Sequence, residues 1–173
     1  KSTDPAVGRG FDLFMGKALC GSCHFVPHFG GVRPPYVGSE FEVLGTPADT
    51  SYSAVSPDSG RFLVHRAPEM MRAFRTPSLR NSALTAPYMH NGVFGHLEEV
   101  LEFYNAGGGA GKKLSVSNQT LDAEPLQLTE REKRDLIAFL RALTEDIRPG
   151  ISPDALPLSS IQSLRKRTPG GEY

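Results

Sequence analysis

Five consecutive residues constrain this chain more than any other feature: Cys20-Gly21-Ser22-Cys23-His24. Two thiols at this spacing can reach the two vinyl groups of one porphyrin and form thioethers, and the histidine that follows can bind the iron. The motif therefore predicts one covalently attached haem c, held by Cys20 and Cys23, with His24 as the proximal ligand. A backbone carbonyl near Pro27 is expected to accept a hydrogen bond from His24 Nδ1 and so fix the ring. The predicted function begins with redox chemistry at this iron.

Three other uses of the two cysteines compete with haem attachment. A thioredoxin-like dithiol needs a βαβ setting, which the pattern of this chain does not indicate. A Cys20–Cys23 disulfide would close a small, strained loop, and the chain has only these two cysteines. Zinc fingers and ribbons do not place a ligand directly after the second cysteine. A zinc site is nevertheless the strongest rival, and its ligands would be Cys20, Cys23, His24 and His28.

Charge and hydropathy exclude several classes of partner. The formal net charge is zero and no long block of like charge occurs, which argues against nucleic acid. No apolar run reaches the length of a membrane span. Lys1–Pro5 lacks the apolar stretch of a signal peptide, yet haem is attached to this motif outside the bacterial cytoplasm. We therefore expect a mature or trimmed form of a periplasmic or otherwise exported protein.

Apolar periodicity predicts three helices. The first spans Val7–Leu19 and leads into the cysteine motif, and the second spans Leu97–Tyr104 and ends at a run of three glycines. The third begins with a capping box, in which Thr129 is the N-cap and Glu132 the third helical residue. One predicted helix therefore precedes the cysteine motif, and the other two lie in the C-terminal half of the chain.

A long connection rich in proline, glycine and serine lies between the first two helices, from Phe25 to His96. Connections of this length are usually functional, and short helical turns are expected near Pro68–Ala73. We divide the chain into a haem domain, residues 1–148, and an extended proline-rich tail, residues 149–173.

This order of elements resembles a class I cytochrome c domain. The predicted fold is mostly α-helical, with long loops wrapping around one covalently bound haem. In that fold the first and last helices cross beside the haem edge. Phe11 and Phe14 would then meet Phe139 and Leu140, and Gly10 would let the two helices approach closely.

Two further motifs narrow the resemblance. They are Phe-Arg-Thr-Pro-Ser-Leu-Arg-Asn at 74–81 and Leu-Thr-Ala-Pro-Tyr-Met-His-Asn-Gly at 84–92, followed by Leu-Glu-Glu-Val at 97–100. Together they closely resemble the C-terminal haem domain of the bacterial di-haem cytochrome c peroxidase family, which includes MauG. The resemblance extends from about Gly8 to Thr144.

The resemblance implies a role within a larger redox protein. In that family peroxide reacts at an N-terminal haem, and the C-terminal haem carries or stores electrons or oxidising equivalents. This chain would then be the second kind of domain, partnered by an N-terminal haem domain or another haem-bearing chain, and by a redox protein as donor or substrate. The alternative is a stand-alone electron-transfer cytochrome c without peroxidase activity.

The resemblance also implies the distal haem ligand. Its position in the peroxidases falls on Tyr104, and MauG-like members carry tyrosine there. A phenolate is anionic and hard, so it would favour ferric iron, whereas a thioether would favour ferrous iron. The alternatives are an open site or ligation by Met70, Met71 or Met89.

Five other positions are assigned by the same resemblance. Arg75 and Arg80 are expected to pair with the haem propionates through charge-assisted hydrogen bonds, and His90 is expected to form a hydrogen bond near the haem. The backbone carbonyls of Thr85 and Pro87 are expected to help bind a calcium ion at a domain boundary, since calcium takes oxygen ligands.

Overall fold

The structure is a computed structural model that describes residues 4–145 and the single positions 160 and 162. Four α-helices form its frame: α1 (Pro5–Met15), α2 (Leu97–Asn105), α3 (Gly108–Gly111) and α4 (Glu130–Ala142). Two short strands pair antiparallel, β1 (Phe41–Glu42) with β2 (Phe74–Arg75). Single 3-10 turns lie at Cys20–Ser22, Arg61–Leu63, Pro68–Met70 and Ser82–Leu84. The helices and the small sheet are consistent with the predicted cytochrome c-like fold.

Helix α1 is capped at its start and ends earlier than the apolar pattern predicts. The Asp4 side chain accepts a hydrogen bond from the Ala6 amide, and Pro5 occupies the first helical position, where its missing N–H costs nothing. The predicted extension to Leu19 is wrong. The helix ends before Gly16, and Leu19 adopts a left-handed conformation with φ of 53°. This change of direction leads the chain into the cysteine motif.

Helices α2 and α4 begin as predicted because carboxylates satisfy their first amides. Glu99 accepts hydrogen bonds from the amides of Gly95 and His96 at 2.7 and 2.9 Å. Thr129 and Glu132 form the predicted capping box. The glycine run ends α2 as predicted, because α2 stops at Asn105 and Gly107 is left-handed with φ of 86°. Gly108–Gly111 then forms the short helix α3, which the sequence did not indicate.

The core lies where α1 crosses α4. A Cβ atom on Gly10 would stand 2.0 Å from the carbonyl oxygen of Asp135, so only glycine permits this approach. The rings of Phe11 and Phe14 lie 5.5 and 5.2 Å from the ring of Phe139. The predicted crossing of the first and last helices is therefore present, with the aromatic contacts expected for Phe11 and Phe14.

Two ion pairs connect the same region. Arg9 donates a bidentate pair of hydrogen bonds to Asp135, at 2.8 and 2.9 Å. Lys17, just after α1, donates to the carboxylate of Glu132 at 2.8 Å. These contacts lower the pKa of Asp135, and they lower the pKa of Glu132 to about 2, chiefly through Lys17.

The Lys17–Glu132 pair predicts an acid-sensitive stability. The folded-state pKa of Glu132 lies below its ordinary value of 4.5. Its stabilising contribution is therefore complete above about pH 4.5 and is lost as the pH falls towards 2. Replacing Lys17 with methionine should make the protein unfold at a higher pH in an acid titration followed by far-ultraviolet circular dichroism.

Lys113→Met is the matched control, because this exposed lysine has no ion pair in the described part of the chain. It should leave the acid midpoint unchanged. Equal shifts in the two variants would mean that net charge, and not the Lys17–Glu132 contact, sets acid stability.

The segment between α1 and α2 contains only short elements, as its composition predicts. The predicted turn near Pro68–Ala73 is present as a 3-10 turn over Pro68–Met70. The division at residue 148 and the proline-rich tail lie outside the range 4–145 and remain predictions. No helix in the described residues is long and apolar enough to cross a membrane.

Candidate haem site

The cysteine motif folds into a tight turn directly after α1. Cys20, Gly21 and Ser22 form a 3-10 turn, and both thiols are free and half-buried. Burial raises the pKa of the Cys20 thiol to about 12 and also raises the pKa of Cys23. Met15 packs against Gly21 so closely that a Cβ there would lie 2.7 Å from its sulfur. The turn therefore presents two reduced, protonated thiols on a well-packed base.

The His24 ring is fixed by a backbone carbonyl. Its Nδ1 lies 3.1 Å from the carbonyl oxygen of Phe29, which can only accept, so Nδ1 carries the proton. The expected carbonyl therefore belongs to Phe29, two residues beyond Pro27. Burial is the largest effect on His24 and lowers its pKa, which favours the neutral ring. The carbonyl of Pro77 also acts on this ring, and with Nδ1 held by Phe29 the second nitrogen, Nε2, is the one that can serve as an iron ligand.

Tyr104, on α2, belongs to the same region as the two thiols. Its pKa is raised first by burial and then by the charges of Cys20, Cys23 and Glu42. Such interactions weaken with distance, so the half-buried Tyr104 lies in the same region of the molecule as both cysteines. The structure thus brings together the residues predicted for haem attachment and for the sixth iron position.

Glu42 is a feature of this region that the sequence interpretation missed. It is half-buried on β1, opposite Phe74 on β2. Its charge acts on Cys23, His24 and Tyr104 alike. Glu42 stands in the long irregular segment with no motif around it, so only the pairing of β1 with β2 reveals its position.

The three alternative methionine ligands lie in other settings. Met70 ends a 3-10 turn, and the carbonyl of Met71 accepts a hydrogen bond from the Asn118 side chain at 2.9 Å. Met89 has a left-handed backbone, with φ of 69°. All three are half-buried. Nothing in these contacts associates a methionine with His24.

The two arginines assigned to the propionates and His90, expected to form a hydrogen bond near the haem, occupy separate environments. His90 stacks on Phe74 with ring centroids 3.7 Å apart, and its Nε2 lies 3.0 Å from Ser56 Oγ. Arg75 is exposed on β2 and has no ion pair within residues 4–145. Arg80 pairs with Glu145 at the end of α4. Phe74 connects His90 to β1, and therefore to Glu42.

The two carbonyls assigned to calcium lie on an exposed turn. Thr85 follows the 3-10 turn at Ser82–Leu84, and Pro87 follows a cis peptide bond. Neither carbonyl accepts a hydrogen bond from the described residues. Both oxygens are therefore free to bind a cation or another chain.

The residues at the motif fit haem c better than zinc. Burial favours the neutral form of His24, and a tyrosine suited to a sixth iron position lies in the same region. Within the described part of the chain, no group of three or more histidine, cysteine and acidic side chains is arranged to hold a metal ion. The zinc interpretation, including a role for His28, thus finds no support in this geometry.

Comparison with known proteins agrees with the fold and the motif. The chain is 38% identical over 159 residues to cytochrome-c peroxidase IdrP1 of Pseudomonas sp. (strain SCT), covering 82% of this chain and 40% of the relative. It is 38% identical over 135 residues to the methylamine utilization protein MauG of Methylorubrum extorquens, covering 78% of this chain and 33% of that protein. No family model matches the chain.

A solved structure shows the same relationship. A MauG-like protein associated with microbial copper homeostasis superposes with a TM-score of 0.68 at 33% identity, covering 84% of this chain and 48% of the other. Fold and motif thus define a haem-binding domain of the peroxidase type. The chain belongs to the bacterial di-haem cytochrome c peroxidase and MauG family, and it matches the C-terminal domain of that family. It spans about 40% of the length of the curated relatives it matches best.

Proposed function

We propose that this chain binds one haem c and carries or stores electrons for peroxide-dependent oxidation by a di-haem enzyme. The observation that carries the proposal is the grouping of Cys20, Cys23, His24 and Tyr104 in one region of a chain that belongs to this family. When bound, haem supplies an iron that accepts and donates single electrons. The chain's own residues attach it, orient it and set its preferred oxidation state.

Attachment and proximal ligation fall to the cysteine motif. Cys20 and Cys23 would each add their S–H across one vinyl group, so that two thioethers would form and no atom would be lost. His24 would bind the iron through Nε2, because Nδ1–H donates to the Phe29 carbonyl. This hydrogen bond holds the ring in place and raises its donor strength.

Tyr104 is the proposed distal ligand. The electrostatic influence of Cys20 and Cys23 on its phenol supports this choice, because it places Tyr104 in the region of the cysteine motif. A phenolate ligand stabilises Fe(III) and lowers the reduction potential. A haem with histidine and tyrosine ligands is therefore better suited to hold oxidising equivalents than to act as a high-potential electron relay.

The remaining site residues support binding and assembly. Arg75 and Arg80 are proposed to pair with the propionates, which for Arg80 requires leaving its partner Glu145. His90 is proposed to form a hydrogen bond near the haem. The carbonyls of Thr85 and Pro87 are proposed to share a calcium ion with another domain, because their oxygens are unpaired here and suit calcium chemically.

The partner completes the peroxidase. The two cysteines of the chain suffice for one haem, and the relatives are more than twice as long, so peroxide reduction is assigned to a second haem on an N-terminal domain or another chain. The assembly is proposed to work in the periplasm or another exported location, with a redox protein as donor or substrate. A second C-x-x-C-H motif in the gene product would favour this assignment over a stand-alone electron-transfer cytochrome.

Covalent attachment provides the first test. Expressed with the bacterial cytochrome c assembly machinery, the protein should gain the mass of one haem per Cys20–Cys23 pair, and acid–acetone should not extract the colour. Cys20→Ala and Cys23→Ala should each leave one thioether and shift the pyridine haemochrome band. An extractable haem, or one zinc ion per chain, would refute the proposal.

A further inference from the structure

Four aromatic rings form a continuous path from Tyr104 to the surface. The Tyr104 ring contacts Phe103 with centroids 5.9 Å apart, Phe103 contacts Phe94 at 5.5 Å, and Phe94 contacts Tyr52 at 6.4 Å. Electron tunnelling is faster through packed atoms than across gaps, so closely spaced rings couple the two ends. The path joins a tyrosine of the haem region to a tyrosine far away in sequence.

The two phenylalanines in the middle of this path are buried, whereas the tyrosines at its ends are half-buried. Phe103 is fully buried and Phe94 is 2% exposed, so both are shielded from solvent. Tyr52 is half-buried, and its hydroxyl makes no hydrogen bond to the described residues. Phenylalanine is much harder to oxidise than tyrosine. The two phenylalanines therefore serve only as the medium, and Tyr52 is the oxidisable terminus.

The loop that carries Tyr52 is held in place. The Asp49 carboxylate accepts a hydrogen bond from the Ser51 amide at 2.8 Å, and the Asp49 carbonyl accepts one from the Tyr52 amide at 3.3 Å. The Asn91 side chain donates to the carbonyl of Pro47 at 2.9 Å, which fixes the base of the loop. The contact between Tyr52 and Phe94 is thus part of an ordered arrangement.

We propose that Tyr52 is a surface redox site, which gives an electron along this ring path to the haem at Tyr104. The inference rests on the proposed haem function. One electron would leave the Tyr52 ring for the haem iron of this chain, once that iron has been oxidised by the peroxide-reacting haem. The phenolic proton would pass to water, so that a neutral phenoxyl radical would remain.

Local charge favours this coupled loss of an electron and a proton. The Lys112 ammonium lies 5.1 Å from the centroid of the Tyr52 ring. A cation at this position stabilises the neutral ring and opposes a positively charged one, so the electron leaves together with the proton. Burial, and after it Glu99, raise the pKa of Tyr52, so the phenol is protonated at neutral pH. The radical formed is therefore neutral.

Another tyrosine provides an internal control. Tyr36 is 68% exposed and has no ring contact within residues 4–145. If exposure alone determined oxidation, Tyr36 would react first. If the ring path determines it, Tyr52 reacts first in spite of its greater burial.

The test is radical trapping in the haem-loaded protein, expressed from its full coding sequence. After hydrogen peroxide and a nitroso spin trap are added, peptide mass spectrometry should locate the adduct at Tyr52 and not at Tyr36. The EPR spectrum should show a tyrosyl signal that Tyr52→Phe removes. Phe94→Leu and Phe103→Leu should each reduce the Tyr52 adduct several-fold, while Phe62→Leu, which changes no ring of the path, should not.

The haem spectrum separates failure of this inference from failure of the proposed function. Each variant is first compared with the parent protein by its ferric absorption spectrum, so that a disturbed haem is recognised. If the haem responds to peroxide but the adduct forms at Tyr36, or nowhere on Tyr52, the Tyr52 assignment is wrong and the haem function stands. If no haem of the full gene product responds to peroxide, the proposed function fails and this inference fails with it.

Discussion

Replacing Tyr104 with phenylalanine should open the sixth position of the ferric haem and shift the iron from low towards high spin. Tyr104 is the one tyrosine of α2, and its phenol lies in the region of both attachment cysteines. Phenylalanine keeps the volume of the ring and removes the oxygen that would bind iron. Absorption and EPR spectra of the ferric protein measure the change directly. A variant with the spectrum of the parent protein would exclude ligation by Tyr104.

Tyr104→Met supplies the complementary result. A thioether is neutral and soft, so the reduction potential should rise markedly and a sulfur-to-iron band should appear in the near infrared. Met70→Leu, Met71→Leu and Met89→Leu are the controls and should leave the ferric spectrum unchanged. Loss of a near-infrared band in one of these variants would assign the sixth position to that methionine.

Local patterns predicted much of this molecule because the forces concerned act over a few residues. The capping box of Thr129 and Glu132 fixes the start of α4, and the apolar stripe of α2 fixes its core face. The end of α1 was predicted too late because apolar residues continue past Gly16. Only the backbone shows that Leu19 adopts a left-handed conformation, which changes the direction of the chain. The spacing of apolar residues alone does not reveal such a change of direction.

The parts that could not be predicted depend on long-range pairing. β1 and β2 each have two residues, and neither carries a strand pattern that would identify its partner. Their pairing nevertheless sets the position of Glu42 beside the cysteine motif. The carbonyl that holds His24 also depends on how the loop returns, and it proves to belong to Phe29. The contact between Tyr52 and Phe94 has the same origin, since no spacing rule relates the two residues.

The helix crossing gives the largest expected effect on stability. Gly10→Ala adds a Cβ that would lie 2.0 Å from the Asp135 carbonyl oxygen and 2.7 Å from Phe139 Cβ. The obstructing oxygen is backbone and cannot rotate away, so α1 and α4 must separate. We expect a loss of about 3 kcal/mol in the free energy of unfolding, measured by urea denaturation of the haem-loaded protein.

Gly8→Ala on the same helix is the control that separates the effect of crowding on stability from the effect of helix propensity. A Cβ on Gly8 meets nothing within 4 Å. Alanine favours helix over glycine by roughly 0.8–1 kcal/mol, so this variant should be more stable than the parent. Gly10→Ala receives the same gain in propensity, so the difference in stability between the two variants measures the crowding. If both variants were stabilised, the two helices could not approach as closely as the contact at Gly10 requires.

The helix crossing also supports the haem region, which extends the prediction beyond stability. Phe14 on α1 packs against Phe139 on α4 and against the ring of Phe29, at 5.2 and 5.8 Å. The carbonyl of Phe29 in turn holds the His24 ring. Separation of the helices in Gly10→Ala should therefore loosen His24 and broaden the ferric EPR signals, whereas Gly8→Ala should leave them unchanged. A destabilised Gly10→Ala protein with an unaltered haem spectrum would show that His24 is held independently of the crossing.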